Sequence, residues 1–173
     1  MFNGLLSLLG MLGLKSIKRV FTRLQQTMTK HSKYYYDFDR NMANRTPNLR
    51  PLKYFTTKEF DSPDEVGSGE KMSKEFLAIL DEARERAGVP FKITSGYRTQ
   101  AYHNDLTKRG YKTSPTSAHL LGLAADISTP TSTIRFQVIQ ALLEMKITRI
   151  GIGKNFVHCD IKPSSHKVCW TYY

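Results

Sequence analysis

The segment SAHLLGLAADI, residues 117–127, decides the fold prediction, because it couples a histidine and an aspartate to a predicted buried strand. His119 and Asp126 lie seven residues apart, and the letters LAADIS predict a buried strand in which Ala124 and Asp126 share a face. A carboxylate in such a strand is costly to bury unless it is paired or bound to a cation. Gly122 and the alanines leave room for backbone, metal or substrate.

A second segment, GIGKNFVHCDI at residues 151–161, supplies a further candidate ligand. Its pattern predicts a strand in which His158 and Asp160 share a face. Two histidines and one carboxylate form a ligand set for catalytic zinc, which keeps its fourth position for water. Each of these residues alone would be an ordinary core or surface side chain. Together they predict that His119, Asp126 and His158 hold zinc.

The rest of the chain predicts an α+β domain with a small antiparallel sheet and flanking helices that form a zinc cleft. Apolar residues at helical spacing predict a helix over about 71–87, which Gly88 and Pro90 end. Ser132 is the expected N-cap of a later helix. The other predicted elements are a helix over about 100–109, a helix over 133–145, a short strand at the start of FKITSGYR, and strands near 149–152, 156–161 and 168–173.

The positive charge is concentrated at the N-terminal end of the chain. The 173 residues carry a net charge of +11, and residues 1–53 hold ten Lys or Arg against two Asp or Glu. We therefore predict a basic helix and linker arm over 1–52 and a compact domain over 53–173 that holds the zinc site. The arm would suit an anionic surface, whether membrane, teichoic acid or nucleic acid; a solvated tail is the alternative.

The first residues do not resemble a secretory signal. Their apolar run of roughly 14 residues is shorter than the roughly 20 that span a bilayer. Lys15, Lys18 and Arg19 follow the apolar run instead of preceding it. We expect a helix over 1–26 that lies on a membrane surface, unless translation starts at Met28 or Met42.

Three motifs carry a resemblance to a known family: SGYR at 95–98, S-x-H-x-x-G-x-A-x-D at 117–126, and V-H-x-D at 157–160. In this order they resemble the zinc D-Ala-D-Ala carboxypeptidases and murein endopeptidases, of the superfamily that includes lysostaphin-type enzymes and the hedgehog signalling domain. The resemblance runs from Tyr54 to Tyr173 and is strongest to small peptidases encoded by microviruses, which are single-stranded DNA phages.

The resemblance implies roles for individual residues. His119, Asp126 and His158 would be the zinc ligands, and Arg98 would face the substrate carbonyl or carboxylate. Tyr97 and Ser117 would also bind substrate. Ser117 is in addition a candidate partner that fixes a histidine tautomer.

The general base is where the sequence departs from better-known members. Many of them place Glu or Asp three residues before the last histidine ligand, where this chain has Asn155. Asp160 is the nearest alternative. It would activate the water, orient a ligand or bind substrate, and the sequence does not choose among these roles.

The resemblance implies hydrolysis of D-Ala-containing peptide bonds in bacterial peptidoglycan by a monomer at the host cell wall, for phage entry or lysis. The enzyme would be carried in the virion or made in the host cytoplasm. Asn155 replaces an acid, so the alternative is a module that keeps the zinc site, binds the cell wall and has no catalytic activity. A third possibility is that the N-terminal arm dominates and the protein is a nucleic-acid or membrane tether.

Four further side chains near the C-terminus are predicted to have structural roles. Cys159 and Cys169 are expected to be an inert buried pair. Trp170 and Tyr172 share a face of the last strand, and core packing is favoured over a sugar-stacking platform.

Overall fold

A computed structural model describes residues 51–163 and 167–172. The predicted arm, residues 1–52, falls outside the described residues apart from its last two, so the helix over 1–26 stays a prediction. Within the described part, no helix combines the length and the apolarity that crossing a membrane requires.

The described chain is an α+β domain with three helices and five strands, which confirms the predicted fold class. Three short 3-10 turns, at Thr57–Phe60, Ser68–Lys71 and Ala118–Leu121, complete the regular structure. The helices are α1 (Lys74–Ala87), α2 (Gln100–Lys108) and α3 (Ser132–Glu144). The strands are β1 (Ile93–Ser95), β2 (Ala124–Ser128), β3 (Arg149–Ile152), β4 (Phe156–Asp160) and β5 (Val168–Thr171).

The start of α3 corrects one predicted cap. Thr131, not Ser132, is the N-cap, and its hydroxyl accepts a hydrogen bond from the Ile134 amide at 3.2 Å. Thr131 has the extended backbone of a cap residue, whereas Ser132 is already the first helical residue. The helix therefore begins one residue earlier than predicted.

The strands form one sheet in the order β1-β2-β4-β3-β5. Neighbours pair antiparallel except β3 and β5, which are parallel, so the prediction of an antiparallel sheet is wrong for the last strand. Without β5 the free edges of the sheet are those of β1 and β3, and β5 pairs with β3. The chain has by then reversed direction twice, which gives β5 the direction of β3.

The two faces of the sheet have different environments. Ile127, Val157 and Cys159 are fully buried on the core side, where α1 and α3 pack against each other and α3 packs on β4. The opposite face carries one continuous row across all five strands. Strand register places it in the order Ser95, Asp126, His158, Gly151 and Trp170. This row forms the floor of the candidate site.

Candidate active site

His119, Asp126 and His158 meet on the open face of the sheet, and all three are buried. His119 Nε2 lies 3.2 Å from His158 Nδ1 and 3.3 Å from Asp126 Oδ1, and His158 Nδ1 lies 2.8 Å from Asp126 Oδ1. Ligands about 2.0–2.1 Å from a tetrahedral zinc ion are separated by about 3.3 Å. The three donor atoms therefore fit the coordination of one such ion, and the three residues could hold a metal. We name His119, Asp126 and His158 the metal-binding cluster.

His119 is positioned by the 3-10 turn Ala118–Leu121, which ends at Gly122. The Gly122 backbone is left-handed, at φ +67°, and its carbonyl accepts a hydrogen bond from the Ser73 amide at 2.9 Å. A Cβ at this position would lie 2.3 Å from the Lys71 carbonyl oxygen. Glycine is thus required here for both conformation and space, which explains its place three residues after His119.

We expect Gly122→Ala to destabilise the domain by about 2–5 kcal/mol, because left-handed strain of about 1–2 kcal/mol adds to an overpacking cost of about 1–3 kcal/mol. Chemical denaturation measures this, and zinc affinity should fall with it. Gly88→Ala is the matched control: Gly88 has φ +65° but open space around its Cβ position, so only the strain applies. Equal losses in the two variants would contradict the packing argument.

The tautomer of His119 is fixed by a backbone group. Its Nδ1 lies 2.7 Å from the carbonyl oxygen of Gly96, in the SGYR segment, and an Nδ1–H donor leaves Nε2 free as a ligand. The prediction that Ser117 has this role is wrong. Ser117 lines the cleft, so a substrate-binding role for it stays a prediction.

His158 is held from its other edge by Asp160. The imidazole Nε2 lies 3.3 Å from Asp160 Oδ2, while Nδ1 faces the metal-binding cluster. Asp160 Oδ1 accepts hydrogen bonds from Arg149 Nε at 2.7 Å and from the Lys162 amide at 2.9 Å. Arg149 pairs with Asp160 directly across β3 and β4. Asp160 is 3% exposed, so both of its oxygens are committed inside the protein.

Arg98 holds the second oxygen of Asp126. Its Nη2 donates to Asp126 Oδ2 at 2.7 Å, and its Nε donates to Ser95 Oγ at 2.9 Å. The side chain also lines the cleft. The guanidinium, which Ser95 fixes, thus holds Asp126 Oδ2 and leaves Oδ1 facing the two histidines.

The protonation states suit a cation. Burial lowers the pKa of His119. Burial opposes the charge on Asp126 as well, but the two imidazoles outweigh it and keep the pKa of that carboxyl well below its usual range. For His158, burial is outweighed by Asp126 and Asp160, which raise its pKa. The cluster thus favours a positive charge beside an ionised carboxylate, and a metal ion can replace the proton as that charge.

An aromatic wall, defined as Trp170, Tyr172 and Phe156, stands beside His158. The Trp170 and Tyr172 ring centroids lie 5.4 and 6.4 Å from that of His158. Both residues line the cleft, so the prediction of core packing is wrong for them. The wall needs Gly151, since a Cβ there would lie 2.6 Å from the Tyr172 ring and 2.7 Å from the Trp170 ring.

The remaining predicted residues lie outside the metal-binding cluster. Tyr97 packs under Lys71, whose Nζ is 5.2 Å from the ring centroid, and it is not among the described residues that line the cleft. Cys159 is buried and Cys169 exposed, and both are free, so the predicted buried pair is wrong. Strand β3 separates the two strands that carry them. Burial raises the pKa of Cys159, which keeps its thiol protonated.

Comparison with known proteins gives a family match and similarity to solved structures. The sequence profile of the family described as Peptidase M15 matches residues 53–160. The solved L-Ala D-Glu endopeptidase ChiX of Serratia marcescens is similar to this chain, with 18% identity and a TM-score of 0.46 over 69% of this chain and 94% of that one. No curated protein matches the chain.

Proposed function

Because the chain belongs to the peptidase M15 family, we propose that it is a zinc-dependent enzyme that hydrolyses D-Ala-containing peptide bonds of bacterial peptidoglycan. The observation that carries the proposal is the convergence of His119, Asp126 and His158 on one point. Their donor atoms have the spacing of three tetrahedral ligands, and they lie in an open cleft of about 1080 Å³. A three-ligand site in a cleft leaves a position open for chemistry.

His119 Nε2, His158 Nδ1 and Asp126 Oδ1 would hold the zinc. When bound, zinc polarises a scissile carbonyl and lowers the pKa of a bound water. The protein's own contribution is orientation: the Gly96 carbonyl and Asp160 fix the two imidazoles.

Arg98 and Asp160 are the candidate catalytic groups, and their contacts favour positioning roles. Each forms a short ion pair inside the protein, Arg98 with Asp126 and Asp160 with Arg149. Asp160 touches the edge of His158 remote from the metal-binding cluster. We therefore favour Asp160 as the residue that orients His158. Arg98 orients Asp126, and since its guanidinium lines the cleft it can also face a substrate carbonyl.

The alternative is a zinc-bearing wall-binding module without activity. Asn155 is exposed and is not among the described residues that line the cleft, so it supplies no base. On the resemblance to microvirus peptidases alone, we propose a role in phage entry or host lysis. The arm's attraction to an anionic surface likewise stays a prediction.

Mass spectrometry of muropeptides after incubation with the zinc-loaded protein tests the proposal. We expect fragments cut beside D-Ala, no fragments after chelation, and recovery on adding zinc, because the ion supplies the electrophile. Protein that sediments with purified cell walls but releases no fragment from any muropeptide would favour the binding module.

A further inference from the structure

The cleft beside the metal-binding cluster is strongly cationic. Among the described residues that line it, the only acids are Asp126 and Asp160, and both are neutralised internally, at 2.7 Å from Arg98 and from Arg149. The basic side chains that line the cleft are Arg98, Arg109, Lys112, Arg149, Lys154 and Lys162. The cleft therefore carries an excess of positive charge, which attracts anionic ligands.

Within the described residues, three of these cations have no carboxylate partner, and a fourth has one only at the surface. Arg109 lies 3.4 Å from Asp105, a surface pair. In the part of the chain that the structure describes, Lys112, Lys154 and Lys162 form no ion pair. Their charge is available to a ligand that enters the cleft.

Two of the unpaired lysines lie on opposite sides of the metal-binding cluster. Lys154 precedes His158 by four residues and Lys162 follows it by four, so each Cα is at most about 13 Å away along the chain. Lys162 Nζ donates to the Thr116 carbonyl at 2.6 Å, which fixes it at the Asp160 end of β4. Lys154 belongs to the turn before Phe156, at the other end. A ligand across the cluster therefore meets one lysine on each side.

We propose, as an extension of the proposed function, that the cleft selects peptides with a free carboxylate on each side of the scissile bond, and that Lys154 and Lys162 each recognise one of them. The aromatic wall stands beside His158 and suits the small apolar side chain of an alanine at the cleavage point. Lys154 precedes β4 and Lys162 follows it, so the two can meet carboxylates on either side of that alanine. Amidation of those carboxylates removes the charge that the lysines bind.

The test compares four synthetic peptides of one sequence, which has D-Ala at the scissile bond and one side-chain carboxylate on each side of it. The four peptides have both carboxylates free, either one amidated, or both amidated. The kcat/KM of the zinc-loaded full chain is measured for each. We expect each amidation to lower kcat/KM by about fivefold at low salt, the scale of an exposed ion pair. The effect should shrink at 1 M salt, where the Debye length is about 3 Å.

Variants separate the two sides. Lys154→Gln should abolish the effect of amidation on one side only, and Lys162→Gln the effect on the other side. Lys162→Arg, which keeps the charge, should retain the discrimination, and Lys74→Gln, at an exposed position of α1 outside the cleft, should behave as the parent. Equal cleavage of all four peptides would overturn the selectivity alone, as would loss of both amidation effects in one lysine variant. Cleavage of none would overturn the proposed function and this inference with it.

Discussion

Replacing His119 or His158 by alanine is expected to remove the bound zinc and to lower peptide hydrolysis by at least about 10³-fold. Three protein ligands are the fewest that hold a catalytic zinc, and the ion contributes several kcal/mol to the transition state. Because His119 Nε2 and His158 Nδ1 both lie within 3.3 Å of Asp126 Oδ1, loss of either leaves two donors. Elemental analysis should find one zinc per parent chain and little in either variant.

The measurement needs protein purified without a metal-affinity tag, and a control for adventitious thiol ligation. Cys169→Ser serves this purpose, because Cys169 is exposed and pairs with Ile150, outside the strand row that carries Asp126 and His158; it should retain one zinc. Zinc should also raise the melting temperature of the parent but not of the histidine variants, since a ligand stabilises only the protein that binds it. Full zinc content in both histidine variants would refute the site.

The sequence was sufficient to predict that His119, Asp126 and His158 come together, because the strand alternation around Asp126 and His158 can be read directly. Asp126 and His158 each alternate with apolar core residues, and a buried polar pair requires partners. The sequence also predicts the bounds of β3, at 149–152, and the strand lies there.

What the sequence did not reveal depends on strand register. Nothing local pairs Arg149 with Asp160, because the pairing arises from two facing strands. The location of Trp170 depends on the parallel pairing of β5 with β3, which sets it over Gly151. The Gly96 carbonyl, as a backbone group, left no side-chain signal. The one usable hint was G-x-G at 151–153, where the missing side chains leave space for the aromatic wall.

Asp160→Asn distinguishes the two roles that the geometry permits for this carboxylate. As a residue that orients His158, Asp160 accepts a hydrogen bond from Nε2–H while anchored by Arg149. Asparagine is neutral, so it loses the charge that makes His158 a stronger ligand and leaves Arg149 without its ion pair. Loss of such an outer partner costs about 10–100-fold in metal affinity. We therefore expect zinc affinity to fall by this factor, and hydrolysis at limiting zinc to fall with it.

The readout that decides is the response to excess zinc. If Asp160 orients His158, saturating zinc should restore most of the activity, and Arg149→Gln should show a smaller loss of the same kind, because it removes only the anchor of the carboxylate. If Asp160 is instead the base, Asp160→Asn should keep its zinc and lose about 10²-fold or more in kcat at any zinc concentration. The contacts favour the first result, because Asp160 Oδ1 already accepts two hydrogen bonds and Oδ2 reaches only the edge of His158 turned away from Asp126 and His119. A base must instead lie within hydrogen-bond reach of the proton it removes.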